Sequence, residues 1–136
     1  MAISKAELDK EYAITTFGPL ESDPSGKNQH EAGAKLDAGK NRLGLVLLNF
    51  PRALNEVGVV GTYGAEKYTD NGWLKVANGE ARYTDAMFRH LLAAKIEGDV
   101  DVDTGLLHRA QVAWNVLAAL ELFLIDSEKD AKEAMR

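Results

Sequence analysis

The chain contains no cysteine, so neither a disulfide framework nor a thiolate metal site is open to it, and no redox compartment marks it. It has no surplus of positive charge. Sixteen basic against 21 acidic side chains leave a formal net charge of −5, which argues against coating a nucleic-acid polymer and leaves room only for a local basic pocket around a small anion. It also has no long apolar run: the oiliest stretch, residues 112–125, is interrupted by Asn115 and Glu121 and reads as too short to span a bilayer. The N-terminus lacks the charged-then-apolar order of a signal peptide. A Walker loop, an internal repeat, a low-complexity segment and an alternating strand pattern are all missing. These absences lead to the expectation of a cytoplasmic protein that touches no membrane and no nucleic-acid polymer.

What is present suits one ordinary globular domain. The 136 residues are 46% hydrophobic and 27% charged, enough for a core. Residues 2–12 read as a short helix capped by Ser4, with Glu7 three positions on. Residues 15–30, with two prolines, read as an extended connector or arm. Residues 43–50 are a continuous apolar run that suits either a buried strand or the lead-in to a helix. Pro51 suits a first helical position, and a helix follows over 52–68. Gly58, Gly61 and Gly64 recur on it every three residues, a notched face for a second backbone or a ligand. Residues 69–72 form a turn. The expected fold is all-α: a bundle of about four helices with an irregular or extended N-terminal arm. We divide it into residues 1–32 (helix and arm), 33–126 (the helical domain) and 127–136 (a charged helical tail).

The chemistry concentrates between residues 82 and 115, which read as a helix, a tight acidic turn and a second helix. Tyr83, Met87, His90, Leu91 and Ala94 share one face of the first by their spacing of three and four. On the second, His108, Gln111 and Asn115 form a polar stripe among leucines and Trp114, and such a stripe must be satisfied by something. His90 and His108 are either hydrogen-bonded core histidines or, with Asp101, a metal site or proton shuttle. Asp101 and Asp103 are either caps of the second helix or metal ligands. Upstream, Lys35, Lys40 and Arg42 alternate with two glycines and an aspartate, which suits an anion as well as it suits a bare charged loop. Trp73, near Tyr68 and among turn residues, either stacks on a base or plugs the core. Asn115 either reads a base edge or caps His108 through water.

In order along the chain these pieces resemble a known family, the phage-borne N-terminal domain of dATP/dGTP diphosphohydrolases. A GxKxDxGKxR-type opening is matched by Gly33, Lys35, Asp37, Gly39, Lys40 and Arg42. A P..AL.EV..V.TYGA.KY helix is matched by Pro51, Ala53, Leu54, Glu56, Val57, Val60, Thr62 to Ala65, Lys67 and Tyr68. An NxW turn is matched by Asn71 and Trp73, an RY.DA..RH helix by Arg82, Tyr83, Asp85, Ala86, Arg89 and His90, and a G..D..TG..H turn by Gly98, Asp101, Thr104, Gly105 and His108.

The resemblance implies hydrolysis of a deoxypurine triphosphate to monophosphate and pyrophosphate, and likeness to all-α MazG-like pyrophosphohydrolases that hold magnesium on carboxylates. It places the protein in the host cytoplasm. It implies Mg2+, or another divalent cation, on Asp101, Asp103, Glu97 and Asp85, with Glu56 a further carboxylate in reach of the argument. His90, His108 and Asp101 would be catalytic, and Lys35, Lys40, Arg42, Lys67, Tyr68, Trp73, Arg89 and Asn115 would hold the nucleotide. The chain departs from the relatives by having no E-x-x-E or E-x-x-D pair between residues 52 and 122. It also has Asp103 where a glutamate is expected and Gln111 where a second histidine often follows. A non-catalytic nucleotide sponge, sequestering a cyclic nucleotide defence signal, is the alternative that those departures leave open. A polar stripe that is only a satisfied core network is the third. A glycine-notched helical domain is expected to work as a homo-oligomer.

Overall fold

The computed structural model describes residues 21–136, which fall into two compact units that divide between Asn49 and Phe50. The helix expected over residues 2–12 and the first part of the arm lie outside the described residues.

In the first unit, residues 21–43 run through turns, and one carboxylate holds the path. Asp23 accepts hydrogen bonds from the backbone N–H groups of Ser25 and Lys35, both at 2.6 Å, and from the Ser25 hydroxyl. The Ser25 hydroxyl bond and then the two N–H bonds keep its carboxyl below the ordinary value. Lys35, Lys40 and Arg42 are exposed. The apolar run that follows is not a buried strand. It closes into one helical turn, α1 (Gly44–Leu47), whose Leu47 N–H donates to Leu43 at 3.0 Å, and Leu43, Leu45 and Leu48 stay exposed. With no strand among the described residues to pair with, the backbone satisfies its own groups locally.

The second unit begins with α2 (Pro51–Lys67), which has proline in its first turn, where a missing N–H costs nothing. A 3-10 turn (Gly72–Lys75) follows Asn71, which takes the left-handed conformation. Then come α3 (Gly79–Glu97) and α4 (His108–Ala134), which continues unbroken through the charged tail. α4 is the centre of the unit: α3 is its chief neighbour, and α2 packs on it too. Five of its six buried residues, His108, Gln111, Asn115, Ala118 and Leu122, follow spacings of three and four, with Ala110 beside them, so the polar stripe and a small apolar one are the same seam. Leu117, Leu120 and Leu91 are about half exposed. By length and composition α4 is the one helix among the described residues that could cross a bilayer, which corrects the reading made from the shorter run 112–125. Its polar seam is spent on α3 and the loop before it, as in a core helix.

Close approach depends on glycine at Gly72, where a side chain would collide with the Thr69 hydroxyl, and at two places between helices. A side chain at Gly79 would stand 2.6 Å from Leu122, and one at Gly61 would stand 3.4 Å from the Trp114 indole nitrogen. Gly58 and Gly64 meet nothing within 4 Å, so only the middle position of the glycine stripe serves packing in this chain. Trp73, Tyr83 and Trp114 form a triad of edge-to-face contacts with centroids 5.5 to 6.4 Å apart, which closes one end of the helices.

Candidate functional site

α3 ends at Gly98, whose φ of 96° only glycine takes without strain. The chain then makes a knuckle before α4. An antiparallel bridge joins Val100 to Leu107, the Asp101 N–H donates to Leu106 at 2.8 Å, and the His108 N–H donates to Asp99 at 2.9 Å. Gly105, at φ 73°, turns its N–H back onto the Asp101 carbonyl at 2.8 Å. The knuckle therefore aims the Asp101 side chain at the seam between α3 and α4.

Five side chains meet there. His108, the first residue of α4, is 1% exposed. Its Nδ1 lies 3.0 Å from Nδ1 of His90 on α3, and its Nε2 lies 2.6 Å from the Glu97 carboxylate at the end of α3. Asp101 is buried: Oδ2 accepts from Gln111 Nε2 at 3.0 Å and Oδ1 from the Asp103 N–H at 2.9 Å. Asp101 Oδ2 is also 4.0 Å from His90 Nδ1. One ligand atom from each of His90, Asp101 and His108 lies within 4.8 Å of the other two.

The protons follow from the partners. A carboxylate only accepts, so Nε2 of His108 carries the hydrogen that Glu97 receives, and a neutral His108 presents a lone pair at Nδ1. His90 then donates from its own Nδ1. Burial, more than any other influence, lowers the His90 pKa; Asp101 opposes it, and the His108 ring and Arg89 add to it. For Asp101 burial alone would raise the carboxyl. The bonds from Gln111, the Asp103 N–H and Thr104, with the His108 ring, outweigh it, so the group lies below its ordinary value and is ionised at neutral pH. The seam thus holds a neutral imidazole and a charged carboxylate a few ångströms apart, both able to offer electron pairs.

The other expected residues are placed differently. Asp103 does not cap α4: it lies five residues before it, with an exposed side chain, and the position before His108 carries no side-chain cap. Glu97 is spent on His108, and Glu56 is exposed. Asp85 is exposed on a groove with Gly79, Leu122 and Lys129 that none of the cluster residues lines. Asn115 neither caps His108 nor faces outward; it is buried and donates to the Gln111 carbonyl at 2.7 Å. Trp73 is engaged with Tyr83 and Trp114, whereas Tyr68 is 74% exposed with the Lys67 ammonium 5.3 Å from its ring centre. Arg89 is exposed on α3 beside His90.

Two roles escaped the reading of the sequence. Gln111 is the donor that Asp101 needs, and Glu97 fixes the tautomer of His108. Glu97 follows His90 by seven residues on one face of α3, and that spacing was the available signal.

Fold and cluster together define an all-α domain with a buried His–Asp–His constellation at the hairpin of two long helices. The chain belongs to the dATP/dGTP diphosphohydrolase N-terminal family, whose model matches residues 30–132. Over 87 residues it is 39% identical to the dATP/dGTP diphosphohydrolase of Salmonella phage PMBT28, a stretch that makes up 62% of this chain and 28% of that protein. This chain therefore spans little more than a quarter of the length of the relative. No solved structure matches it.

Proposed function

We propose that this chain handles dATP or dGTP as a nucleotide diphosphohydrolase, adding water across the α–β phosphoanhydride to release monophosphate and pyrophosphate. The relative's name supplies the substrate class. On this chain, the observation that carries the reading is the convergence of His90, Asp101 and His108 on one point of the α3–α4 seam.

A divalent cation held there would supply counter-charge to the triphosphate. Asp101, kept ionised by its donors, and His108, oriented by Glu97, would hold it with His90. Exposed Lys67 and Arg89 suit phosphate oxygens, and Tyr68 suits the face of a base. Lys35, Lys40 and Arg42 belong to the first unit, where they are exposed, and are proposed there as anion-binding cations in their own right.

The test is incubation of the purified chain with each deoxynucleoside triphosphate and a divalent cation, with monophosphate and pyrophosphate separated and counted. Product is expected from dATP or dGTP and is expected to vanish in Asp101→Asn. The absence of both turnover and binding across the nucleotide panel would sink the proposal.

We further propose that the chain works as a homo-oligomer. Phe88, Leu92 and Ile96 stand at intervals of four along α3 and are all exposed, a stripe with the pattern of a helix–helix contact. Light scattering on the eluting protein should give more than one chain per particle, and Leu92→Glu should lower that number; a monomer throughout rejects the idea.

A further inference from the structure

We infer that His90 Nδ1, His108 Nδ1 and Asp101 Oδ2 form a binding site for a borderline transition-metal dication of the zinc or cobalt kind, and that Glu97 positions His108 for it. The inference deepens the proposed function by naming the class of its cation, and it rests on that reading only for the use to which the cation is put.

The first argument is the donor set. Magnesium takes oxygen ligands and gives up its waters reluctantly. Here two of the three converging donors are imidazole nitrogens, and the further carboxylates are elsewhere: Asp103 and Asp85 are exposed and Glu97 is bound to His108. Imidazole with carboxylate suits the later divalent ions.

The second argument is spacing. Imidazole nitrogens sit about 2.0–2.1 Å from such an ion, so two of them sharing it stand roughly 2.8–3.0 Å apart at a right angle and roughly 3.3–3.4 Å at a tetrahedral one. The observed separation of the two Nδ1 atoms is 3.0 Å. Asp101 Oδ2, 4.0 Å from His90 Nδ1, closes the third position with a modest turn of its side chain. Binding requires His90 to move its proton from Nδ1 to Nε2, a change of tautomer that alters no charge.

The third argument is the outer layer. Metal-binding histidines usually pass their other N–H to a carboxylate, and metal-binding carboxylates are themselves hydrogen-bonded. Both devices are in place. Glu97 takes the His108 Nε2–H at 2.6 Å, and Gln111 with the Asp103 N–H holds both oxygens of Asp101. A pair of histidines that served only to fill a core would need neither the second carboxylate nor the buried charge of Asp101 at the same point.

The experiment uses the metal alone. The full chain, freed of metal by a chelator, is titrated calorimetrically with Co2+, Zn2+, Mn2+ and Mg2+, and the Co2+ complex is read by its visible ligand-field absorption. The expectation is one equivalent of Co2+ or Zn2+ bound at least about 100-fold more tightly than Mg2+, with nitrogen-type ligand-field bands. His90→Ala, at the accessible rim of the cluster, should lose the bands while keeping the helical circular dichroism. Glu97→Gln should weaken Co2+ binding by about 10- to 100-fold with the melting temperature of the metal-free protein unchanged. Mg2+ binding as tight as Co2+, or Co2+ affinity untouched by His90→Ala, overturns the site. Glu97→Gln with wild-type affinity overturns the positioning role. Tight Co2+ binding without turnover of any nucleotide would leave this site standing and remove the diphosphohydrolase reading, whereas turnover with no nitrogen-bound metal would do the reverse.

Discussion

The Nδ1 atoms of His90 and His108 face each other at 3.0 Å, a distance that admits one hydrogen between them and not two. Because Glu97 already claims the opposite nitrogen of His108, the metal-free pair is stable with a single shared proton. Protonating His90 adds a hydrogen at its Nε2, away from the gap, and sets a charged, half-buried ring against His108.

That relationship sets a pH dependence. The His90 pKa in the folded protein lies below its ordinary value, chiefly through burial, so the unfolded chain binds more protons in the interval between the two values. The corresponding stability is complete above about pH 6.5 and is lost as pH falls toward the depressed folded value. Asp101, also lowered, adds a loss of the same sign at more acidic pH. Thermal melts of the metal-free protein should therefore show a melting temperature that declines on acidification from about pH 7.5 to about pH 5. In His90→Gln the imidazole part of that decline should be missing; an identical profile in the variant would assign it elsewhere.

Gln111 supports a buried charge. Replacing it with leucine removes the donor to Asp101 Oδ2 while keeping the shape of the side chain, and a buried acceptor left short of a partner costs about 1–3 kcal/mol. Urea denaturation should register that loss. The double variant with Asp101→Asn should cost less than the two single losses added together, since the charge that Gln111 serves is gone.

Two glycines of α2 and the one that opens α3 should part company. Alanine at Gly58 or Gly64 meets nothing within 4 Å and is expected to stabilise the chain by up to ~1 kcal/mol through helix propensity. At Gly79 the added methyl lies 2.6 Å from Leu122, which is itself buried, and forced repacking should destabilise by about 1–3 kcal/mol. Chemical denaturation of the three variants gives both signs in one series. A loss of stability at Gly58 or Gly64 would mean that another surface covers that face.

Tryptophan and tyrosine should separate fold from ligand. Trp73→Ala removes one member of the aromatic triad and should cost about 2–4 kcal/mol of stability, the lower part of the range for a large core side chain because Trp73 is only half-buried. Tyr68→Ala touches an exposed ring and should leave the melting temperature within a degree or so. If the nucleotide stacks on Tyr68, the same change should weaken dATP or dGTP binding by about 1–3 kcal/mol. Equal nucleotide affinity in Tyr68→Ala and the parent rejects that platform.

The helix pair and its junction were legible because spacing of three and four needs nothing beyond the order of residues. His90 on one helix and His108, Gln111 and Asn115 on the other were assigned to inward faces, and all four are buried or half-buried. The all-α class followed from the missing strand pattern and from Pro51 at a helix start. Periodicity names a face; it does not name a partner. For that reason the sequence left Asp103 between a cap and a metal ligand, Asn115 between a base edge and a cap on His108, and Glu97 among the metal candidates; the structure starts α4 five residues after Asp103 and sets Asn115 on the Gln111 carbonyl and Glu97 on His108. The run at residues 43–50, left between a buried strand and the lead-in to a helix, closes into a helical turn. Its apolar composition suits a buried strand, but a strand requires a neighbour, and none exists among the described residues.

The knuckle between Gly98 and Leu107 has a kinetic consequence. All the cluster residues come from one uninterrupted hairpin, with His90 and His108 only 18 positions apart. The loop that must close to bring them together is short, and the entropy of closing it is correspondingly small. During folding the constellation can assemble as soon as α3 and α4 pair, before α2 arrives, and an ion present at that moment would act as a clasp on the nascent hairpin.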